Sequence, residues 1–205
     1  MYTTRKVRVQ GNLDLLRDCP YRAATIIGSR KAHPRAERLA ANVAQFLARK
    51  GWVIVSGLAP GVDLAAHRAT VKAGGKTIAV LGEGLCAISR NADMASEILQ
   101  AHGLLVSTVP DHQAATRASL MDRNWLTVGL ARVVIVVQAD QPSGSLDAAL
   151  KALQLESSFP LARTRSQSLI WVRAGDLGSW SEPGCVACPA TQPKHSPIRL
   201  GALFS

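Results

Sequence analysis

The sequence predicts an α/β fold, a doubly wound, mainly parallel sheet of extended Rossmann-like form in three layers. Three observations predict it. Runs of β-branched and small apolar residues alternate with segments of helical apolar spacing from Ala23 to Val172. The intervening segments have the length of helical crossovers, which implies parallel strands joined in the right-handed sense. Three of the apolar runs also end in Gly/Ser: Ile26-Ile27 leads into Gly28-Ser29-Arg30, Val53-Ile54-Val55 into Ser56-Gly57, and Val133–Val137, after a polar pause, into Ser143-Gly144-Ser145.

Taken in order, residues 1–22 read as a basic lead-in, with Gly11–Leu16 as a turn and short helix. A strand over 23–28 is followed by a helix over 34–50. Pro34 suits its first turn, Leu39, Val43, Phe46 and Leu47 share one face, and Gly51 ends it. A strand over 52–56 opens the loop Ser56–Gly61 and a helix running to about Ala73, stopped by Gly74-Gly75. The strand over 77–81 enters Gly82-Glu83-Gly84; a helix over 91–101 and a short strand over 104–107 follow. Residues 109–117 are polar and 118–130 helical. The strand over 132–138 contains five β-branched residues in succession, as in the buried middle of a parallel sheet. A helix over 145–155 and a strand over 169–172 complete the alternation. One domain is expected over 23–175, with 176–205, rich in Gly, Pro, Ser and Cys, as an irregular tail.

At 205 residues the chain suits one domain, and 47% apolar residues suffice for a core. The formal charge of +10 is uneven: residues 1–50 hold eleven of the 24 Lys/Arg but three of the 14 Asp/Glu. Such a concentration around the first strand–helix unit suits a polyanionic partner, although a generally basic protein would share it. No apolar run approaches the ~20 residues of a membrane span, and the N-terminus is too polar for a signal peptide. Four scattered cysteines make no disulfide framework, so a cytoplasmic, reducing compartment and no membrane are expected. Cys185-Val-Ala-Cys188 with His195 offers three ligands and no convincing fourth, so no metal is expected.

A strand that ends in Gly/Ser and opens a helix points free N–H groups and the positive end of the helix dipole at a common spot, which favours phosphate. Each such loop alone is weak evidence, because glycine also serves simply to turn the chain. The loops contain neither GxGxxG nor GxxxxGK[ST], which disfavours a dinucleotide fingerprint and a Walker-type NTPase. Asp63 and His67 stand four apart on one helix face. Their expected role is structural: Asp63 accepts backbone N–H bonds near the helix start, and His67 is a hydrogen-bonded core or interface residue.

Taken together, Ile27-Gly28-Ser29-Arg30, Ser56-Gly57-Leu58-Ala59-Pro60-Gly61-Val62-Asp63-Leu64-Ala65-Ala66-His67 and Gly82-Glu83-Gly84-Leu85 closely resemble the DprA/Smf family. Asp122-Arg123-Asn124 and Val136-Val137-Gln138-Ala139 with Ser143-Gly144-Ser145-Leu146 extend the resemblance to about residues 11–155. It implies a Rossmann-like domain that binds single-stranded DNA without sequence preference, forms a homodimer and can help load a RecA-type recombinase in natural transformation. No cofactor and no catalysis are implied. The resemblance would place one phosphate on the amides of Gly28 and Ser29 and the Ser29 hydroxyl, with Arg30 reaching a base or a second phosphate. Ser56, Gly57, Ser143, Gly144 and Ser145 would shape the groove. Arg117 would hold another phosphate or stand as a solvated loop charge. Arg123 and Asn124 would either join the groove or pin their helix to the sheet.

The chain departs from the family pattern at several positions. Leu120-Met121 replace Phe-Pro, Trp125 replaces an arginine and is expected to pack against the sheet unless it stacks on a base, and Gln138 replaces a carboxylate. Asp147-Ala148 replace Ile-Thr, and Cys86–Ser89 lack Tyr-Pro. Two alternatives therefore stand beside the strand binder: a sensor of a small nucleotide, and a phosphoribohydrolase-like enzyme. The enzyme needs a carboxylate to stabilise an oxocarbenium-like transition state, and the segment after Ser145 offers only Asp147, out of register.

Overall fold

The computed structural model describes residues 6–89, 91–139, 144–158 and 168–172. Thirteen elements follow in order: β1 (Arg8–Gly11), α1 (Leu15–Arg22), β2 (Ala23–Gly28), α2 (Pro34–Arg49), β3 (Val53–Ser56), α3 (Val62–Lys72), β4 (Thr77–Leu81), α4 (Ala92–Gln100), β5 (Leu104–Ser107), α5 (Arg117–Gly129), β6 (Val133–Val137), α6 (Gly144–Ser158) and β7 (Ser168–Val172). They form one seven-stranded sheet in the order β1-β5-β4-β3-β2-β6-β7. Six strands run parallel, and β1 is antiparallel to β5 at the edge.

The period-2 alternation of each strand divides the core into two faces. Ala24, Ile26, Ile54 and Ile135 meet Leu39, Val43 and Leu47 of α2 and Val62 and Ala66 of α3. Ala79, Leu81 and Leu105 on the same side meet Met94 and Ile98 of α4. The alternate residues Val53, Val55, Ile78, Val80 and Val106 face Leu15 and Cys19 of α1 and Leu126 of α5. Ile27, Val134 and Val136 face α5 and α6 through Val128, Ala148 and Ala152. The three-layer, doubly wound reading therefore holds, and the predicted strands and helices stand within a few residues of their expected bounds.

Two features differ from expectation. Residues 8–22 are part of the layered unit instead of a separate lead-in: β1 extends the sheet, and Leu15 and Cys19 are buried beneath it. Burial raises the Cys19 thiol to about 11, with Asp18 adding to the effect. Trp125, expected against the sheet, is 40% exposed on the outer surface of α5. The helix turns that residue outward while Asn124, Thr127 and Val128 take the inner positions. The tail over 176–205, including Cys185, Cys188 and His195, lies outside the described residues. Among the described residues no helix is long and apolar enough to cross a membrane.

Candidate nucleic-acid interface

The sheet's topological switch point lies between β2 and β6. From β2 the strand order proceeds through β3, β4 and β5 on one side, with α2, α3 and α4 on one face. On the opposite face α5 lies over β4 and reaches β6 through Val128, and α6 covers β6. Loops leaving adjacent strands in opposite directions open a crevice at their carboxyl ends, the common ligand site of such sheets. Here the crevice is bordered by Gly28–His33, Ser56–Gly61 and the start of α6.

Gly28 ends β2 between Val137 of β6 and Val62 of α3, where any Cβ would overlap the Val137 carbonyl oxygen. Ser29 is buried, and its amide donates to the Gln138 carbonyl at 2.7 Å. That amide is therefore committed to the fold, which corrects the expectation that it offers itself to phosphate. The Ser29 hydroxyl oxygen accepts from the Lys31 amide at 3.1 Å and shapes the turn. Arg30 and Lys31, by contrast, are exposed, as are His33 and Arg35 at the entry to α2. Gln138, left unassigned by sequence reasoning, holds this loop a second time: its Oε1 accepts from the His33 amide at 2.9 Å.

The Ser56–Gly61 loop is fixed from below. The Ser56 hydroxyl donates to the Ile26 carbonyl at 2.6 Å, so Ser56 staples β3 to β2 instead of facing a ligand. The Gly57 amide donates to Asp63 Oδ2 at 3.1 Å. The Arg123 guanidinium lies against Gly57 where any side chain would stand, and donates to the Val80 carbonyl at 3.0 Å. Burial pushes the Asp63 carboxyl up from its ordinary value, opposed by the Arg123 charge and by the backbone hydrogen bonds of Ala59 and Gly57. Burial likewise pushes Arg123 down, with Asp63 opposing and Arg30 reinforcing that shift. A guanidinium does not lose its proton in proteins, so Arg123 is the buried cation that balances Asp63. Arg30 thus stands within charge range of Arg123, which in turn is within charge range of Asp63.

His67 is fully buried beside them, its Nδ1 2.8 Å from Thr77 Oγ1. Thr77 spends its own hydroxyl proton on the Ile54 carbonyl, so Nδ1 carries the His67 proton. Burial, reinforced by the Arg123 charge, lowers His67 to about 3.

The remaining candidates lie on the opposite rim. Arg117 is exposed at the first turn of α5, whose Thr116–Ser119 capping box sits at the end of β4 through Ser119 Oγ and the Gly82 carbonyl. Asn124 is buried and donates to the Gly144 carbonyl at 3.1 Å and to Asp147 Oδ2 at 2.9 Å, tying α5 to the start of α6. Gly144 is exposed there and Ser145 buried; Ser143 lies outside the described residues. Asp147 also pairs with Lys151 at 2.7 Å. The structure thus brings Arg30, Gly57, Asp63 and Arg123 into one cluster and leaves Arg117 apart, over β4. Among the described residues no group of three or more His, Cys, Asp or Glu could hold a metal.

A doubly wound sheet whose switch-point crevice has exposed Arg30 above the buried Arg123 and Asp63 defines the class: a Rossmann-like domain with a basic crevice. The chain belongs to the DNA recombination-mediator protein A family, whose model matches residues 5–167. It is 37% identical over 131 residues to the DNA processing protein DprA of Bacillus subtilis, covering 63% of this chain and 44% of that one. To DprA of Streptococcus pneumoniae it is 37% identical over 147 residues, 71% of this chain and 50% of that one. The chain thus spans about half the length of these relatives or less. The solved structure of the S. pneumoniae protein superposes with a TM-score of 0.67 at 30% identity, over 80% of this chain and 54% of that one. That of Helicobacter pylori DprA, described for its single-stranded DNA binding mode, gives 0.65 at 29% identity, over 80% and 71%.

Proposed function

We propose that this chain binds single-stranded DNA without sequence preference along the switch-point crevice, as part of DNA processing and recombination. The observation that carries the reading is the charge arrangement at the crevice. Arg30, Lys31 and Arg35 are exposed around the β2–α2 turn, and Arg123 stands beneath it with Asp63 as counter-charge. A guanidinium takes a phosphate by fork hydrogen bonding or stacks on a base, which suits a strand whatever its sequence. Family membership and the strand-binding H. pylori neighbour support the same ligand. In this reading the crevice is a binding surface and not an active site. Asp147, the carboxylate a hydrolase would need near α6, is already shared by Asn124 and Lys151. A RecA-type recombinase as partner, homodimerisation, a role in natural transformation and a cytoplasmic location follow from the family resemblance and belong to the same proposal.

Fluorescence anisotropy with labelled oligonucleotides of increasing length, at two salt concentrations, tests it. Affinity is expected to rise with length and to fall with salt at a log–log slope of about −0.7 per phosphate contacted. Arg30→Ala is expected to weaken binding by roughly tenfold and to flatten that slope by about 0.7, one phosphate contact. Tight mononucleotide binding with no gain from length would instead establish the small-nucleotide sensor or the hydrolase.

A further inference from the structure

Away from the crevice, a groove of about 450 Å³ runs between α5 and the β1 edge of the sheet, lined by Val7, Thr108, Asp122, Trp125 and Leu126. Trp125 and Val7 are the exposed apolar groups of its wall. The Lys151 ammonium stands 5.5 Å from the Trp125 ring centroid. It is itself held by Asp147 Oδ2 and the Met121 carbonyl, so the cation covering the indole is fixed from α6. The indole is therefore pre-oriented, which lowers the entropy lost when a ligand stacks on it. Trp125 and Asp147, two departures from the family pattern, meet in this one cluster through Lys151.

Resting on the strand-binding reading above, we infer that the Trp125 groove is a base-stacking station where a single strand passing Arg117 lodges a nucleobase. Arg117 lies eight residues earlier on α5, so about 12 Å separates the two along the helix axis, a reach of a few nucleotides. The lining favours a base over a phosphate: among the described residues it offers the apolar surface of Val7, Trp125 and Leu126 and no cation. Neighbouring cations suit the backbone: Lys6 adjoins the lining residue Val7 in the chain, Arg117 opens the helix that carries Trp125, and both are exposed. A protein partner fits less well. A stable protein interface needs roughly 800 Å² on each side, and among the described residues the exposed apolar surface here is that of Val7 and Trp125.

The test uses the full chain, with Trp125→Ala, Trp125→Phe and Arg30→Ala variants. Oligonucleotides of roughly 4 and roughly 16 nucleotides span the site sizes of strand-binding folds. Trp125→Ala is expected to bind the short strand like the wild type and the long strand roughly tenfold more weakly, with Trp125→Phe between them. The long strand is also expected to quench tryptophan emission in the wild type by an increment that Trp125→Phe lacks. Unchanged long-strand affinity and unchanged quenching in the Trp125 variants, with Arg30→Ala still weakened, would overturn the stacking station alone. Absence of strand binding by the wild type would overturn the crevice reading and this inference together. Trp125 is exposed and outside the core, so the folded state should survive each change at that position.

Discussion

Replacing Arg123 with methionine should lower stability by about 1–3 kcal/mol, the usual cost of leaving a buried acceptor without its donor, with the loss of the cation that opposes the desolvation of Asp63 adding to it. The guanidinium donates to the Val80 carbonyl, covers Gly57 and balances Asp63, which is itself buried with backbone donors arranged around its ionised form. Methionine preserves most of the volume, so the loss would be chiefly electrostatic and not a cavity effect. Urea unfolding of the wild type, Arg123→Met, Asp63→Asn and the double variant decides the matter. The double variant should cost clearly less than the two single changes added together, because it removes both charges. Strict additivity would show that Asp63 and Arg123 do not balance each other. The consequence for function is indirect. Arg123 supports the Ser56–Gly61 loop from beneath, so its loss should loosen the crevice wall as well as the core.

The layered fold was legible because each parallel strand is a short, buried, β-branched run and each helix carries its apolar residues at helical spacing. Val133–Val137 and the face Leu39, Val43 and Leu47 of α2 are clear cases. The edge strand β1 was not legible: Arg8-Val-Gln-Gly is short and polar, half-buried only by pairing with β5. At the crevice, the loops after β2 and β3 follow their strands as the sequence predicts, but the sequence could not tell whom their polar atoms face. A serine in a glycine loop reads the same whether it meets phosphate or main chain. Ser29 spends its amide on Gln138, and Ser56 spends its hydroxyl on Ile26. The Arg123–Gly57 contact joins segments far apart in the chain, so neither residue carries a local sign of the other. Trp125 shows the converse limit. Its apolarity suggested burial, whereas the helix phase set by Asn124, Thr127 and Val128 turns it outward.

The buried His67 should make the fold acid-labile. In the folded chain the imidazole is held neutral to about pH 3, whereas in the unfolded chain it takes a proton near its ordinary value of 6.5. Between those values the unfolded state binds one more proton than the folded state, so stability falls as pH falls. The contribution is fully present above about pH 6.5 and is lost progressively toward pH 3, amounting to on the order of 4–5 kcal/mol there. Asp63 acts in the opposite sense, because its raised carboxyl favours the folded state once protonated. Comparison with a variant separates the two. Between pH 6 and pH 4, the unfolding free energy of His67→Gln should change less steeply than that of the wild type, by about 1.4 kcal/mol per pH unit. Equal slopes would mean that His67 titrates alike in both states and is not sealed in the core. The same property bears on function: a general acid or base works best with a pKa near the operating pH and within reach of a substrate proton. An imidazole neutral at every physiological pH, with its Nδ1 proton engaged by Thr77, meets neither condition. His67 therefore belongs to the frame that holds α3 against β4 beneath the crevice.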